Sequence, residues 1–457
     1  MQKPSSYPPE FKSRYPGELE IKIFRDPLNT FGRIARECGD VAYFKVGGKD
    51  MFIISNPEYI KEVIINHHQD FVKSDSLKIA KPLLGEGLLT SEGDFHHRQR
   101  RLVQPAFNHE RVNSYAKVMV ERSLENSNAW KDGEILDIHA EMMRLTLAIV
   151  AKTLFGAYMD DEAATVSDAL TSALESLHKL KTPGSRVLRR LQISGDNQIE
   201  RSKKTLDAIV YRIIDERLKS GGEDKGDLLS MLLQARDKEG DGTGMSELQV
   251  RDEAMTLFLA GHETTAKALT WSWYLISENP EVESKLHAEL DAVLAGRPPT
   301  AQDFPKLEYT TKIMTEALRL YPPSWTLGVK VIKPFTVAGF PMPVGATLVM
   351  SQFLVQRDAR FFSEPEKFIP ERWTPEFRRS LPRFAYFPFG GGPRVCVGEP
   401  FAWMEGVLVI ATIAQKWRLK HVPGHKVELL PRLTLRPKYG MKMTVTRRLG
   451  RPVSAQA

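Results

Sequence analysis

Cysteine is almost missing from this chain: Cys38 and Cys396 are the only two in 457 residues. No disulfide framework can be built from them, which points to a reducing compartment. Long apolar runs are missing too. Nowhere do about twenty apolar residues follow one another, as a membrane-crossing helix requires. Residues 1–20, with prolines at 4, 8, 9 and 16, hold no apolar core for a signal peptide. The expectation is a cytoplasmic protein with no transmembrane anchor. Charge of one sign is also scarce: Lys and Arg total 64 against 57 Asp and Glu, a net +7. That excess is too small to argue for nucleic acid, although it suits an acidic protein partner. What is present is ordinary for a globular protein, 42% hydrophobic and 26% charged residues.

The chain is long enough for one large domain or two to three average ones, but no linker or internal repeat divides it. Two β-prone runs, 41–46 and 51–55, meet through Gly47-Gly48-Lys49-Asp50, a hairpin signature. A second β-rich stretch covers 329–350. Most of what lies between reads as helix, including 56–66, 140–155, 197–219 and 227–237. The longest helical pattern opens at Ser246, with Gln249 completing a capping box, and runs to about Glu278. The pattern predicts one mainly α domain over 1–457, with a small β-rich lobe assembled from about 41–56 and 329–356.

The most informative stretch is Phe389-Gly390-Gly391-Gly392-Pro393-Arg394-Val395-Cys396-Val397-Gly398, followed by an amphipathic run from Glu399 to Lys416. A cysteine at a helix start faces unpaired N–H groups and the positive end of the dipole, which favour thiolate. Such a thiolate suits haem iron as an axial ligand. A phosphate cradle is the rival for a glycine-rich turn, but neither a Gly-Lys-Ser/Thr ending nor G-x-G-x-x-G spacing is present.

Three further constellations carry chemistry. Inside the long helix lies Ala260-Gly261-His262-Glu263-Thr264-Thr265. A buried acid and hydroxyl there need partners or a task. Gly261 and a back-bonding threonine predict a local opening of the helix. Position 266 is alanine, so the second histidine of a zinc protease is absent. Glu316-Ala317-Leu318-Arg319 places an acid and a base three apart on one helix face. Phe95-His96-His97-Arg98-Gln99-Arg100-Arg101 is a basic cluster, read as a solvated face unless something anionic lies against it.

These four stretches, in this order, resemble the cytochrome P-450 haem-thiolate monooxygenases, soluble bacterial type. The loop matches F-x-x-G-x-R-x-C-x-G at every fixed position, and the helix segment matches A-G-x-[DE]-T-T. The resemblance implies haem b held by Cys396, with Phe389 in the same loop. His96, Arg100 and Arg394 would bond the propionates, and Lys330 is a looser candidate. Gln356 stands where the family often has a propionate-binding histidine. Glu263 is the implied acid and Thr264 the implied hydroxyl of proton delivery. Glu316, Arg319 and Arg372 of Pro370-Glu371-Arg372-Trp373 form the implied structural brace.

The implied activity inserts one atom of dioxygen, by hydroxylation or epoxidation, into a hydrophobic small molecule such as a fatty acid, terpenoid, steroid or polyketide. No flavin or iron–sulfur sequence follows Gly440, so the expected electron source is NAD(P)H through a ferredoxin and its reductase, or a flavodoxin. Arg98, Arg101, Lys416 and Arg418 are the expected docking cations, and the protein is expected to be a monomer. Substrate contacts are expected from 74–89, 170–191, Phe258, Leu259, 325–327 and 433–435, with the basic stretch 178–190 as a gate. Two rivals stay open: a peroxygenase using hydrogen peroxide, and a non-catalytic haem sensor or carrier. The Glu263-Thr264 pair argues against both.

Overall fold

The computed structural model describes residues 7–157, 163–179, 196–221, 223–237, 239–240 and 242–448. The basic stretch expected to act as a gate lies outside these residues from 180 onward. Among the described residues the chain is mainly helical, with a small β-rich lobe. The helices that build the site are α1 (Gly93–Val103), α2 (His109–Asn128), α3 (Ile138–Phe155), α4 (Asp196–Lys219), α5 (Glu247–Glu278), α6 (Glu308–Leu320) and α7 (Glu399–Ala414). Helix α5 has 32 residues, about 48 Å at the standard rise. It begins with the capping box expected from Ser246 and Gln249. Its apolar residues pack with those of α2, α3, α6 and α7 into one large core.

The β lobe is a mixed sheet of β1 (Val41–Val46), β2 (Lys49–Ile54), β3 (Phe71–Lys73), β4 (Leu327–Val331) and β5 (Thr347–Met350), in the order β1-β2-β5-β4-β3. Val46 pairs with Lys49, so the hairpin turn is Gly47-Gly48 alone and tighter than the four residues expected. Met51 pairs with Thr347 in parallel, which joins the two distant β-rich stretches. A separate two-stranded hairpin, β6 (Leu429–Pro431) and β7 (Leu435–Pro437), lies near the C-terminal end.

Three local expectations need correction. The helix expected over 56–66 is α-helical only over Pro57–Lys61, then widens into a π-helical segment at Glu62–Asn66. The change coincides with Val63-Ile64-Ile65, whose β-branches crowd an ordinary helical turn. The helix expected over 227–237 ends at Gln234. Gly261 does not open α5, which runs unbroken through 247–278. A Cβ at Gly261 would lie 3.1 Å from Val150 Cγ2, so the glycine lets α3 pack close to α5 instead.

Candidate functional site

The loop before α7 is shaped by its own backbone. Cys396 N donates to Phe389 O (3.0 Å), Val395 N to Gly392 O (3.1 Å) and Gly390 N to Phe387 O (2.9 Å). Gly392 has φ +64°, and a Cβ there would lie 2.7 Å from Ile64 O of the π-helical segment. The loop is thereby seated against the β lobe. Phe389 packs on Trp403 of α7, with ring centroids 5.7 Å apart. Cys396 keeps solvent-accessible surface although protein surrounds it closely, the position of a group at the floor of a cleft. Burial pushes its thiol up to about 11, outweighing the backbone N–H groups of Gly398 and Glu399 that pull it down. The helix-start N–H groups thus favour thiolate as expected from the sequence, and burial opposes them. The N–H groups are in place, but desolvation is larger, and a bound metal cation is what deprotonates such a thiol.

Helix α5 turns one face to open space. From Val250 to Trp273 every residue is buried except Ala260, Gly261 and Thr264, which share one side of the helix. Thr264 Oγ1 donates back to Ala260 O (2.7 Å). His262 points into the core, with Nδ1 3.0 Å from Phe258 O. Glu263 lies off the open face, where its carboxylate is held by the buried Lys267 ammonium and accepts from Thr434 Oγ1 at 3.0 Å.

At one edge of the cleft, cations outnumber acids. His96 is buried, its Nδ1 lies 3.3 Å from Ser91 Oγ, and its Nε2 has no protein partner. Burial, then the charges of Lys73 and Arg394, push its pKa down to about 3, so the ring is neutral. Arg394 bonds Glu92 through Nη2 while Nη1 is buried without a partner. Arg100 Nη1 donates to Val395 O at 2.8 Å, which ties α1 to the cysteine loop. Lys73, which sequence reasoning missed, donates to Leu88 O and Ser91 O at 2.9 and 2.8 Å. Burial and the nearby Arg394 pull it down to about 7. Unpartnered buried donors of this kind are costly unless a ligand completes them. Lys330 is not part of the group: its Nζ bonds Asp75 at 3.2 Å on the β4 side of the sheet.

The brace is assembled as expected. Arg319 binds Glu316 with two bonds of 2.8 Å, and Arg372 Nε and Trp373 Nε1 reach the same carboxylate at 2.9 and 2.8 Å. Arg319 also donates to the carbonyls of Gln356, Pro365 and Lys367. Gln356 belongs to this brace and not to the cation cluster. Its Nε2 donates to Leu318 O and Arg319 O, and its Oε1 accepts from Phe387 N at 3.0 Å. It thus carries the brace to within two residues of Phe389, a role no sequence motif announced.

A model of the family described as cytochrome P450 matches residues 19–445. The chain belongs to the cytochrome P450 family. It is 37% identical over 416 residues to cyclooctatin synthase of Streptomyces melanosporofaciens, covering 91% of this chain and 90% of that protein. It is 35% identical to cyclooctat-9-en-7-ol 5-monooxygenase of the same organism, over 92% and 93% of the two chains. Pentalenene oxygenase of Streptomyces avermitilis is 32% identical, over 93% and 94%. The protein is thus a P450 monooxygenase, an oxidoreductase that uses haem iron, an external electron supply and a hydrophobic substrate. The residues present fit that haem: an accessible sulfur at the floor of the cleft, and unpartnered nitrogens of His96 and Arg394 at its edge for the propionates.

The four expected docking cations are all engaged within the protein. Arg98 donates to Thr243 and Gly244 O, and Arg101 grips the buried Asp237. Arg418 pairs with Glu283 at 2.9 Å, and Lys416 bonds Asn128 at 2.7 Å. Arg98 and Arg101 therefore pin the loop before α5. No described helix is long and apolar enough to cross a membrane.

Proposed function

We propose that this P450 monooxygenase hydroxylates or epoxidises a terpenoid skeleton. The relatives named above are terpenoid-modifying oxygenases, matched over nine-tenths of the chain. The open face of α5 supports the reading. Ala260, Gly261 and Thr264 present one hydroxyl on an otherwise small, apolar surface, and Phe258 of the same helix packs on Phe155 at 5.3 Å. Trp325 and Leu435 are buried apolar residues of the segments expected to touch substrate. A fused hydrocarbon ring system needs such walls and few polar anchors.

Cys396 would hold the haem iron in this reading, and the bound haem would supply dioxygen activation. His96, Arg100 and Arg394, joined by Lys73, hold the propionates, Arg394 with the planar donors that suit carboxylates. Phe389 packs beside the ligand loop. Thr264 presents its hydroxyl to the cavity and passes protons supplied through Glu263. Glu316, Arg319 and Arg372, with Gln356, keep the loop in register. One domain over the chain and a monomeric state complete the reading, with electrons drawn from NAD(P)H through a ferredoxin or flavodoxin.

The test is a spin-state titration of the purified haem protein against cyclic terpene hydrocarbons, their mono-alcohols and, as controls, fatty acids. Tight response to a terpene or terpene alcohol, followed by oxygenated product, supports the proposal. Response to fatty acids alone overturns it. Turnover driven by hydrogen peroxide but not by NAD(P)H with redox partners would instead favour a peroxygenase.

A further inference from the structure

Lys267 has only 1% of its side chain exposed and sits in the middle of α5. A buried ammonium is costly unless it is paired, so its presence in a helix core asks for a reason. Its partner is Glu263, one helical turn earlier, and a third group closes a ring. Lys267 Nζ donates both to Glu263 Oε1 and to Thr434 Oγ1, while the Thr434 hydroxyl donates to that same Oε1. Thr434 comes from the turn between β6 and β7. That turn is fastened nearby by Trp271 Nε1 to Leu435 O (3.2 Å) and Trp325 Nε1 to Arg432 O (3.0 Å). Thr264 is the next residue after Glu263, about 100° round the helix, and it alone of the two faces open space.

We propose that Lys267 is a positioning residue of proton delivery. With Thr434 it stores Glu263 as a carboxylate beside the cavity face, one residue from Thr264. The inference rests on the assignment of Glu263 and Thr264 as the proton path. The stored carboxylate takes a proton from hydronium, leaving water, and passes it to the Thr264 hydroxyl, which hands its own proton on; the carboxylate is restored and no electron moves in this step.

The surroundings agree. Burial pushes the Glu263 carboxyl up, but the Lys267 charge and hydrogen bond more than offset it, leaving the acid below its usual range. His262 on α5 is kept neutral by burial, and His139 on α3 is pushed down to about 4, chiefly by burial. Burial pulls Lys267 below its usual range, the Glu263 carboxylate opposes that, and Arg436 on β7 lowers it further. Remove Lys267 and burial dominates, so the neutral acid becomes the resting form.

The experiment compares Lys267→Met, Thr434→Val, Glu263→Gln and the Lys267→Met/Glu263→Gln double variant of the haem protein. Infrared spectra report the carboxyl group directly, and turnover is followed against pH. Lys267→Met should produce a protonated-carboxyl band at neutral pH that vanishes in the double variant. The acid limb of its turnover profile should move up by about one pH unit or more. Thr434→Val, which leaves the ion pair, should shift the limb the same way by less, and it decides the matter if Lys267→Met fails to hold haem. Unchanged spectra and profiles in both variants overturn the proposal. If Glu263→Gln keeps full turnover, the proton-path assignment itself falls. If it lowers turnover while Lys267→Met and Thr434→Val do not, only the storage role falls.

Discussion

Two groups of cationic side chains, the brace of Arg319 and Arg372 and the cleft edge of His96, Arg100 and Arg394, differ in one respect. In the brace, the Glu316 carboxylate and the Arg319 guanidinium are saturated by protein, through each other, Arg372, Trp373 and three carbonyls. At the cleft edge, His96 Nε2 and Arg394 Nη1 are equally shielded from water but have no protein partner. A buried charge completed by protein stabilises a fold, whereas unpartnered donors grouped beside the accessible Cys396 suit a ligand. The same residue type thus serves structure in one place and recognition in the other. Only the count of satisfied donors tells them apart.

The comparison can be broken in four ways. Cys396→Ser should have the largest effect: the thiolate-type absorption of the reduced carbon monoxide complex disappears and substrate oxidation falls to background. A variant that keeps that absorption would remove Cys396 from the site. Arg319→Met leaves Glu316 charged and buried, and should cost about 3–5 kcal/mol of stability, measured by denaturant unfolding of the haem-free and haem-loaded protein alike. Arg394→Met should behave in the opposite manner. It should unfold almost like the parent without haem but lose about 1.5–3 kcal/mol of haem binding, roughly ten- to hundredfold in the dissociation constant. Equal loss of stability in both Arg variants would erase the distinction drawn between brace and cradle. Thr264→Ala should have the smallest structural effect. Haem and substrate affinity stay, while the share of electrons appearing as hydrogen peroxide rises; unchanged product per electron would take the hydroxyl out of the proton path.

How much of this was legible beforehand follows from the distance over which each signal acts. The Ser246–Gln249 capping box and the Glu316–Arg319 pair are patterns of residues three apart, and both formed as read. The ten-residue cysteine loop was equally plain. Its proton state was not, because the balance between helix N–H groups and burial depends on everything packed around the sulfur. Arg98 and Arg101 read as surface cations, yet their partners lie more than a hundred residues further on, in the loop before α5. Lys73 carried no local signal, and the bonds of Gln356 to the brace and of Thr434 to Glu263 were not legible from their surroundings in sequence. They matter because of partners far away in sequence: Lys73 meets Leu88 and Ser91, Gln356 meets Leu318, Arg319 and Phe387, and Thr434 meets Glu263 and Lys267.

The sequence by itself determined the family, the cysteine loop, the threonine on the central helix and the three residues that bond one another in the brace. Each is a short pattern whose chemistry is fixed by spacing along one helix or one loop. The tertiary structure alone decided which cations are spent on acids and carbonyls, which donors remain open at the cleft edge, and that Glu263 is held by Lys267 and Thr434. Those outcomes depend on which groups meet after the chain has closed on itself, and on how much water their meeting excludes.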